Sequence, residues 1–353
     1  MTDELLLQVE NLEKYYAQKR SLKEIALRKE KDPVQAVDDV SMEVHSNQSI
    51  GVIGESGCGK TTLLEVLMGL EPLTGGDVIY RGTRMSEFDR EDWLKYRRNV
   101  QIIFQDPFDS LDPKQRVRTV LYEPLRVHGI EDKEQRAREM LERVNLGPPE
   151  QFLSKYPPQL SGGEKQRVAI ARALILQPDV VLADEPVSML DVSTQAAVLK
   201  LLSHLTDEMG VSLIYISHDL STVSYVCDSV NVMYLGRLVE GAPTERLINE
   251  PQHPYTQALI NSIPIPDPYH ERETIELEGA PREPIGLGEG CRFRDRCPER
   301  MDICEKTPLD TEISEHHQTA CHLYYDHEDE STQVSTGGES QPRESVPADG
   351  DDQ

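Results

Sequence analysis

Short apolar runs separated by stretches of helical spacing set out the plan of this chain. Leu5–Val9 and Val37–Val44 read as strands, and Ser49–Ile53 is a brief apolar strand that runs into a glycine-rich turn. Thr61–Leu70 then takes up helical spacing. The long polar segment Arg90–Tyr156 predicts mostly helix, and Glu131–Val144 within it sets Met140, Leu141 and Val144 on one side. Gly163–Leu176 predicts a helix that stops before Pro178. Val180–Ala183 predicts a buried strand, Val198–Met209 a helix, and Val211–Ser217 another core strand. Strands alternating with helices imply an α/β fold around a mostly parallel sheet. The Lys- and Glu-rich insert Ser21–Asp32 predicts a surface helix or loop, and no internal repeat is present.

The character changes beyond Pro251. Proline and glycine become frequent, and four cysteines fall between Cys291 and Cys321. After Tyr325 the chain is acidic and nearly without large apolar side chains, which predicts a disordered tail over 326–353.

Composition adds limits. A length of 353 residues allows one large domain, or one domain with an appendage. The formal net charge of −26 argues against a nucleic-acid partner, because phosphate backbones are bound by clustered Lys and Arg. It suits a saline medium, in which charges are screened over about 3 Å at 1 M salt; an ordinary acidic cytoplasmic protein is the alternative. No stretch reaches the roughly 18 apolar residues needed to cross a bilayer. The start, MTDELLLQVENLEK, lacks the basic and apolar regions of a secretory signal. These features predict a soluble, cytoplasmic chain that meets a membrane only through a partner.

Two glycine-rich motifs carry the chemistry. Gly54-Glu55-Ser56-Gly57-Cys58-Gly59-Lys60-Thr61 is a complete G-x-x-x-x-G-K-[ST] loop between a strand and a helix. Gly54, Ser56, Gly57, Cys58, Gly59, Thr61 and Thr62 offer backbone N–H groups, hydroxyls and a helix start to phosphate oxygens. Lys60 is placed to reach the β- and γ-phosphates of ATP, and Thr61 to put its hydroxyl on Mg²⁺. Cys58 is read as a bystander whose thiol ATP would protect from alkylation if the loop is open. The strand Val180–Ala183 ends in Asp184, placed to hold Mg²⁺ through water, and Glu185, placed to polarise the attacking water. The second motif, Leu160-Ser161-Gly162-Gly163-Glu164-Lys165-Gln166, opens another helix and is a second anion-binding terminus.

Together these motifs resemble those of the ATP-binding-cassette (ABC) transporter ATPases. The resemblance implies that Ser161, Gly162 and Gly163 cap the γ-phosphate of ATP held by an opposing subunit. Gln105, in Phe104-Gln105-Asp106-Pro107, resembles the glutamine that contacts Mg²⁺ and water and links the nucleotide to the helical subdomain. Ser188-Met189-Leu190-Asp191 resembles the loop that crosses the dimer interface, with Met189 where the family more often has Ala. His218 resembles the histidine that contacts the γ-phosphate, and Tyr16 the aromatic that stacks on adenine, with Tyr15 beside it as the competing choice. Asn47 stands where the family commonly has Gly.

Three further features resemble the oligopeptide, dipeptide and nickel importer branch: the charged insert before Ala36-Val37-Asp38-Asp39-Val40-Ser41, the pair Phe104–Pro107 and Ser110-Leu111-Asp112-Pro113, and His253-Pro254-Tyr255-Thr256-Gln257-Ala258-Leu259 ahead of a cysteine-bearing end. The implied fold is an ABC-type nucleotide-binding domain over 1–250, with a core sheet, an antiparallel β subdomain and a helical subdomain at about 106–160. A small C-terminal region with the four cysteines follows over 251–325. The spacing Cys291-x5-Cys297-x6-Cys304-x16-Cys321 is wider than the tight pairs of zinc sites. It fits four thiolates around a [4Fe–4S] cluster, with Zn²⁺, or unligated thiols or disulfides, as the alternatives. Cys227 lies apart and reads as a packed thiol.

The resemblance implies an ATPase that powers uptake of oligopeptides or dipeptides at the cytoplasmic face of the cell membrane. Its partners would be a second ATPase subunit, identical or homologous (a homo- or heterodimer), two transmembrane permease subunits and an extracellular binding protein. Nickel or oligosaccharide import by the same machinery is the nearest alternative. A soluble ABC protein acting on DNA or ribosomes predicts tandem cassettes, a coiled-coil insertion or basic patches, and none is seen. A non-hydrolysing subunit predicts damaged acids or a broken Ser-Gly-Gly turn, and both are intact.

Overall fold

Three strands without an exposed residue form the spine of the structure: β3 (Ser49–Ile53), β7 (Val180–Asp184) and β8 (Ser212–Ser217). Continuous apolar runs of this kind belong to parallel sheets covered on both faces. The computed structural model describes residues 4–18, 31–106, 110–262, 277, 279 and 282–325. Among these residues there are two sheets. The larger has the order β11-β12-β10-β9-β3-β8-β7-β6, where β6 is Val100–Ile103, β9 Ser229–Tyr234, β10 Arg237–Pro243, β11 Asp310–Ser314 and β12 His317–Ala320. Its strands β9, β3, β8, β7 and β6 run parallel, and β10, β12 and β11 join antiparallel. The smaller, antiparallel sheet has the order β2-β1-β4-β5, with β1 Leu5–Tyr16, β2 Val34–His45, β4 Gly75–Tyr80 and β5 Thr83–Arg84.

The helix Lys60–Leu67 lies between the two sheets. Leu63, Leu64, Val66 and Leu67 are all buried, in one apolar cluster with residues of β1, β2, β3 and β8. A second cluster joins the other face of the large sheet to the helices Val117–Val127, Lys133–Arg143, Pro149–Leu153 and Gly162–Leu174. Ala137, Met140, Leu141 and Val144 turn inward in this layer, as the helical spacing of that segment predicts.

The segment Arg90–Tyr156 is not helical throughout. After the helix Arg90–Asn99, residues Val100–Ile103 pair in parallel with Val180–Ala183 as β6. Four residues are too few to display a period, and the pairing that fixes them comes from a strand far along the sequence. The strands β4, β9 and β10 also go beyond what the periodicity reading assigned. Residues 21–30 of the insert Ser21–Asp32 and the tail 326–353 fall outside the described residues.

A division at residue 250 would cut through one continuous structure. β10 pairs with β12 at Glu240↔Thr319 and Gly241↔Gln318, so the C-terminal region extends the core sheet. Glu240 is the hub of that junction. Its fully buried carboxylate accepts hydrogen bonds from the backbone of Gln252 (2.8 Å) and His253 (2.8 Å) and from His317 Nε2 (2.7 Å). Three donors on one carboxylate replace the water it has lost.

Candidate functional site

Register along the parallel strands gathers the sequence-distant candidates at one edge. Ile53 is opposite Ser217, Asp184 opposite Ile216, and Ile103 opposite Ala183. One or two residues past these pairs stand Gly54, His218, Glu185 and Gln105, all at the carboxyl ends of the strands. Crevices of α/β sheets form at such edges.

The phosphate loop needs its glycines. At Gly54 (φ 157°) an added Cβ would lie 2.1 Å from the Met233 carbonyl oxygen, and at Gly59 (φ 111°) 2.0 Å from that of Ala36. Ser56 and Gly57 are exposed, Thr61 is exposed at the helix start, and Thr62 is half-buried beside it. Lys60 is buried, and its Nζ donates to the carbonyls of Gly54 (2.7 Å) and Glu55 (3.0 Å). The ammonium thus lies folded over the loop, where phosphate oxygens can take the place of those carbonyls. The Cys58 thiol is a bystander, turned away from the loop opening. It is buried with Sγ 3.7 Å from Lys60 Nζ, and burial pushes its pKa up. The apolar wall behind the loop takes the thiol, and only the backbone of Cys58 is available to the loop opening.

Asp184 is buried, and burial together with the charge of Glu185 raises its pKa, against a hydrogen bond from Thr61 and the charge of Lys60 that lower it. A cation beside Asp184 and Thr61 would relieve that cost, so the pair suits Mg²⁺. Glu185 has φ 42°, in the left-handed region that non-glycine residues seldom adopt. Its two carboxylate oxygens have separate partners: Oε2 accepts from Gln105 Nε2 at 3.0 Å, and Oε1 from His218 Nδ1 at 2.7 Å. Ser188, which the sequence reading did not single out by role, adds a contact of 3.5 Å to Gln105 Nε2. The arrangement brings a carboxylate, an amide and an imidazole to the loop's edge, as proton transfer from a water would need.

The Ser-Gly-Gly turn lies elsewhere. Ser161 caps the helix Gly162–Leu174: its Oγ accepts from Glu164 N (3.3 Å), and Glu164 Oε2 accepts from Ser161 N (2.7 Å). At Gly163 an added Cβ would come within 2.6 Å of Thr194 Cγ2. Asp191 caps the next helix, Val192–Met209, by accepting from Thr194 N, and the hydroxyls of Ser193 and Thr194 help hold its pKa down to about 2. Ser161, Gly162, Gly163, Met189 and Asp191 line one concavity, and Glu185, Ser188 and His218 line another, with no residue in common. Met189 and Val192 are exposed beside the first.

At the end of β1 the two tyrosines separate. Tyr15 donates its hydroxyl to Asp38, which also accepts from Arg237 (2.7 Å) and from Arg292. Tyr16 is half-buried with Lys14 Nζ 4.6 Å from its ring centre. Tyr255, quoted above only as part of a motif, reaches the phosphate loop: its hydroxyl accepts from Glu55 N at 2.9 Å. Nothing in local sequence signals a contact between residues 200 apart.

The four C-terminal cysteines share one neighbourhood. Cys291, Cys304 and Cys321 are buried and Cys297 half-buried, and the Cys291 N–H donates to the Cys304 carbonyl at 2.9 Å. Burial pushes Cys321 up to about 12 and Cys297 to about 11, and repulsion from the other thiols adds to each. Among the described residues no group of three or more His, Cys, Asp or Glu side chains is arranged to hold a metal ion. As they stand, these thiols display neither a zinc site nor a cluster site. Cys227 is buried apart from them, and its pKa is raised by burial.

Comparison with known proteins agrees with this geometry. Residues 37–188 match the ABC transporter family model, and residues 239–304 match the oligopeptide/dipeptide transporter C-terminal region. The putative oligopeptide transport ATP-binding protein YkfD of Bacillus subtilis is 46% identical over 83% of this chain and 91% of its own length. The dipeptide transport ATP-binding protein DppF of Haemophilus influenzae is 42% identical over 85% of this chain and 91% of its own. Among solved structures, the dimeric post-hydrolysis state of the ATP-binding cassette MJ0796 with ADP and Pi matches with a TM-score of 0.58 and 26% identity. It covers 68% of this chain and 99% of that one. No helix among the described residues is long and apolar enough to cross a membrane. With the loop, the acids and the sheet edge in register, the chain belongs to the ABC transporter family, among its ATP-hydrolysing subunits that carry the oligopeptide/dipeptide transporter C-terminal region.

Proposed function

We propose that this chain drives uptake of oligopeptides or dipeptides, as the ATPase pair of an importer on the cytoplasmic face of the membrane. The observation that carries the reading is the division of the nucleotide machinery between two separate concavities of one chain. Two subunits facing head to tail would close each site, with Ser161, Gly162 and Gly163 of one copy against ATP on Lys60, Thr61 and Thr62 of the other. Asp191 and the exposed Met189 would line the joint. Mg²⁺ would be held by Thr61, Gln105 and Asp184, neutralising charge on the phosphates. Tyr16 is the aromatic for adenine, since the Tyr15 hydroxyl is committed to Asp38. Glu185 takes the proton of the attacking water, and Gln105 and His218 orient its carboxylate.

Closure would be felt by two permease subunits through the segment after Gln105. There Phe104 and Val127 are exposed around a groove that Glu123, His128 and Arg172 also line. An extracellular binding protein would deliver the peptide. Deleting this gene is expected to abolish uptake of labelled di- and oligopeptides by whole cells. Unchanged peptide uptake with lost nickel or oligosaccharide uptake would reassign the cargo. The net charge of −26 further suits a salt-rich cytoplasm.

Cys291, Cys297, Cys304 and Cys321 would hold a [4Fe–4S] cluster as a structural clasp on the C-terminal region. Their closeness supports it: Cys291, Cys304 and Cys321 are buried, Cys297 is half-buried, and the Cys291 N–H donates to the Cys304 carbonyl. Anaerobically purified protein is expected to be brown, with a broad visible absorption that bleaches on reduction. A colourless, iron-free sample rules the cluster out.

A further inference from the structure

The phosphate loop of this chain contains an acid, Glu55, next to the triphosphate it is built to bind. A carboxylate there opposes the ligand by simple charge repulsion. The structure supplies a counter-charge from the opposite end of the sequence. Arg296 donates to both Glu55 oxygens, Nη1 to Oε2 at 2.9 Å and Nη2 to Oε1 at 3.1 Å, across 241 residues of chain. The Arg296 side chain is 9% exposed and that of Glu55 25%. A paired, two-point contact of this kind, poorly reached by water, is the form in which an arginine–carboxylate bond counts most.

The guanidinium is itself held in place. Its Cζ lies 5.9 Å from the Tyr234 ring centre, and Nη1 is 3.4 Å from the Tyr234 hydroxyl. Tyr234 packs against Tyr255 and Phe293, with ring centres at 4.5 and 5.2 Å. Phe293 is buried, and its carbonyl accepts the Arg296 N–H at 2.9 Å. The same aromatic group includes Tyr255, whose hydroxyl takes the Glu55 N–H at 2.9 Å. Backbone and side chain of Glu55 are therefore both fixed by the C-terminal region, while Lys60 fixes its carbonyl.

We propose that Arg296 is a positioning residue of the nucleotide site: it neutralises and restrains Glu55, so that the cysteine-bearing segment sets the affinity of the phosphate loop for ATP. The inference rests on the phosphate-loop reading and not on what the cysteines hold. Loss of ATP binding in Lys60→Ala tests that reading separately.

The experiment is a charge-removal cycle on the full chain, read as the affinity for a fluorescent ATP analogue without turnover, with melting temperature as a check of folding. Arg296→Met is expected to weaken binding about tenfold, the effect of one unopposed, partly screened charge. Adding Glu55→Gln to Arg296→Met is expected to restore affinity to within about twofold of wild type, because the repelling charge is then gone. Arg296→Lys, which keeps the charge but not the two-point contact, is expected to bind more tightly than Arg296→Met and more weakly than wild type. An Arg296→Met chain that binds ATP normally overturns the proposal, and so does a double variant that stays as weak as the single one, which would make Arg296 a fold brace only. Should Arg296→Met fail to fold, Glu55→Gln alone still decides. It must bind ATP at least as tightly as wild type, and weaker binding overturns the proposal.

Discussion

Replacing Glu185 by Gln is expected to slow ATP turnover by about 10³-fold while ATP binding persists, the usual range for loss of a general base. The substitution keeps the size of the side chain and most of its bonding. A glutamine can still accept from Gln105 Nε2, and its amide can face His218 Nδ1 if the imidazole carries its proton on the other nitrogen. Only the ability to accept a proton from water is lost. Since hydrolysis is what reopens the pair, the variant should accumulate as an ATP-bound dimer. Phosphate release and gel filtration with ATP and Mg²⁺ check both halves. Turnover at the wild-type rate would contradict the role given to Glu185.

The second large effect comes from dividing the damage between two copies. Lys60→Ala removes the side chain that donates to the carbonyls of Gly54 and Glu55, and is expected to weaken ATP binding severely in each copy that carries it. Ser161→Arg places bulk and charge in the turn meant for the opposing nucleotide. It costs the helix cap about 1 kcal/mol, which a domain of this size withstands. Each variant alone should be inactive. Mixed in equal amounts, half of the dimers contain one of each, and these rebuild one intact site of two. ATPase activity should therefore return to about a quarter of the wild-type value for this chain's own dimer, by the statistics of a two-fold pair. Full activity of Ser161→Arg alone, or no recovery on mixing, would mean that the site is not shared.

These expectations were legible in the sequence to different degrees. The phosphate loop, Asp184 and Glu185 lie on local patterns of strand, turn and helix, so the residues themselves announce both the element and the chemistry. Gln105 and His218 needed the resemblance, because a glutamine or histidine after a strand has no spacing of its own. What joins them to Glu185 is the register of β6, β7 and β8, a property of pairing and not of any one segment. The strand β6 escaped for the same reason: four residues cannot show a period. Whether the Cys58 thiol is accessible stays open at that level, because a loop's outline in sequence does not say which side chains turn inward. Arg296 and Tyr255 were beyond reach, since their contacts with Glu55 span 241 and 200 residues.

The buried hub at Glu240 has a bearing on how this protein can be shortened. Its charge is satisfied by Gln252, His253 and His317, two donors ahead of the cysteine-rich stretch and one within it. A gene cut near residue 250 to yield a minimal cassette would remove all three donors together with β12, and would open the edge of β10 and its acid to solvent. The C-terminal region therefore closes a sheet edge that a shortened chain would present to other strands.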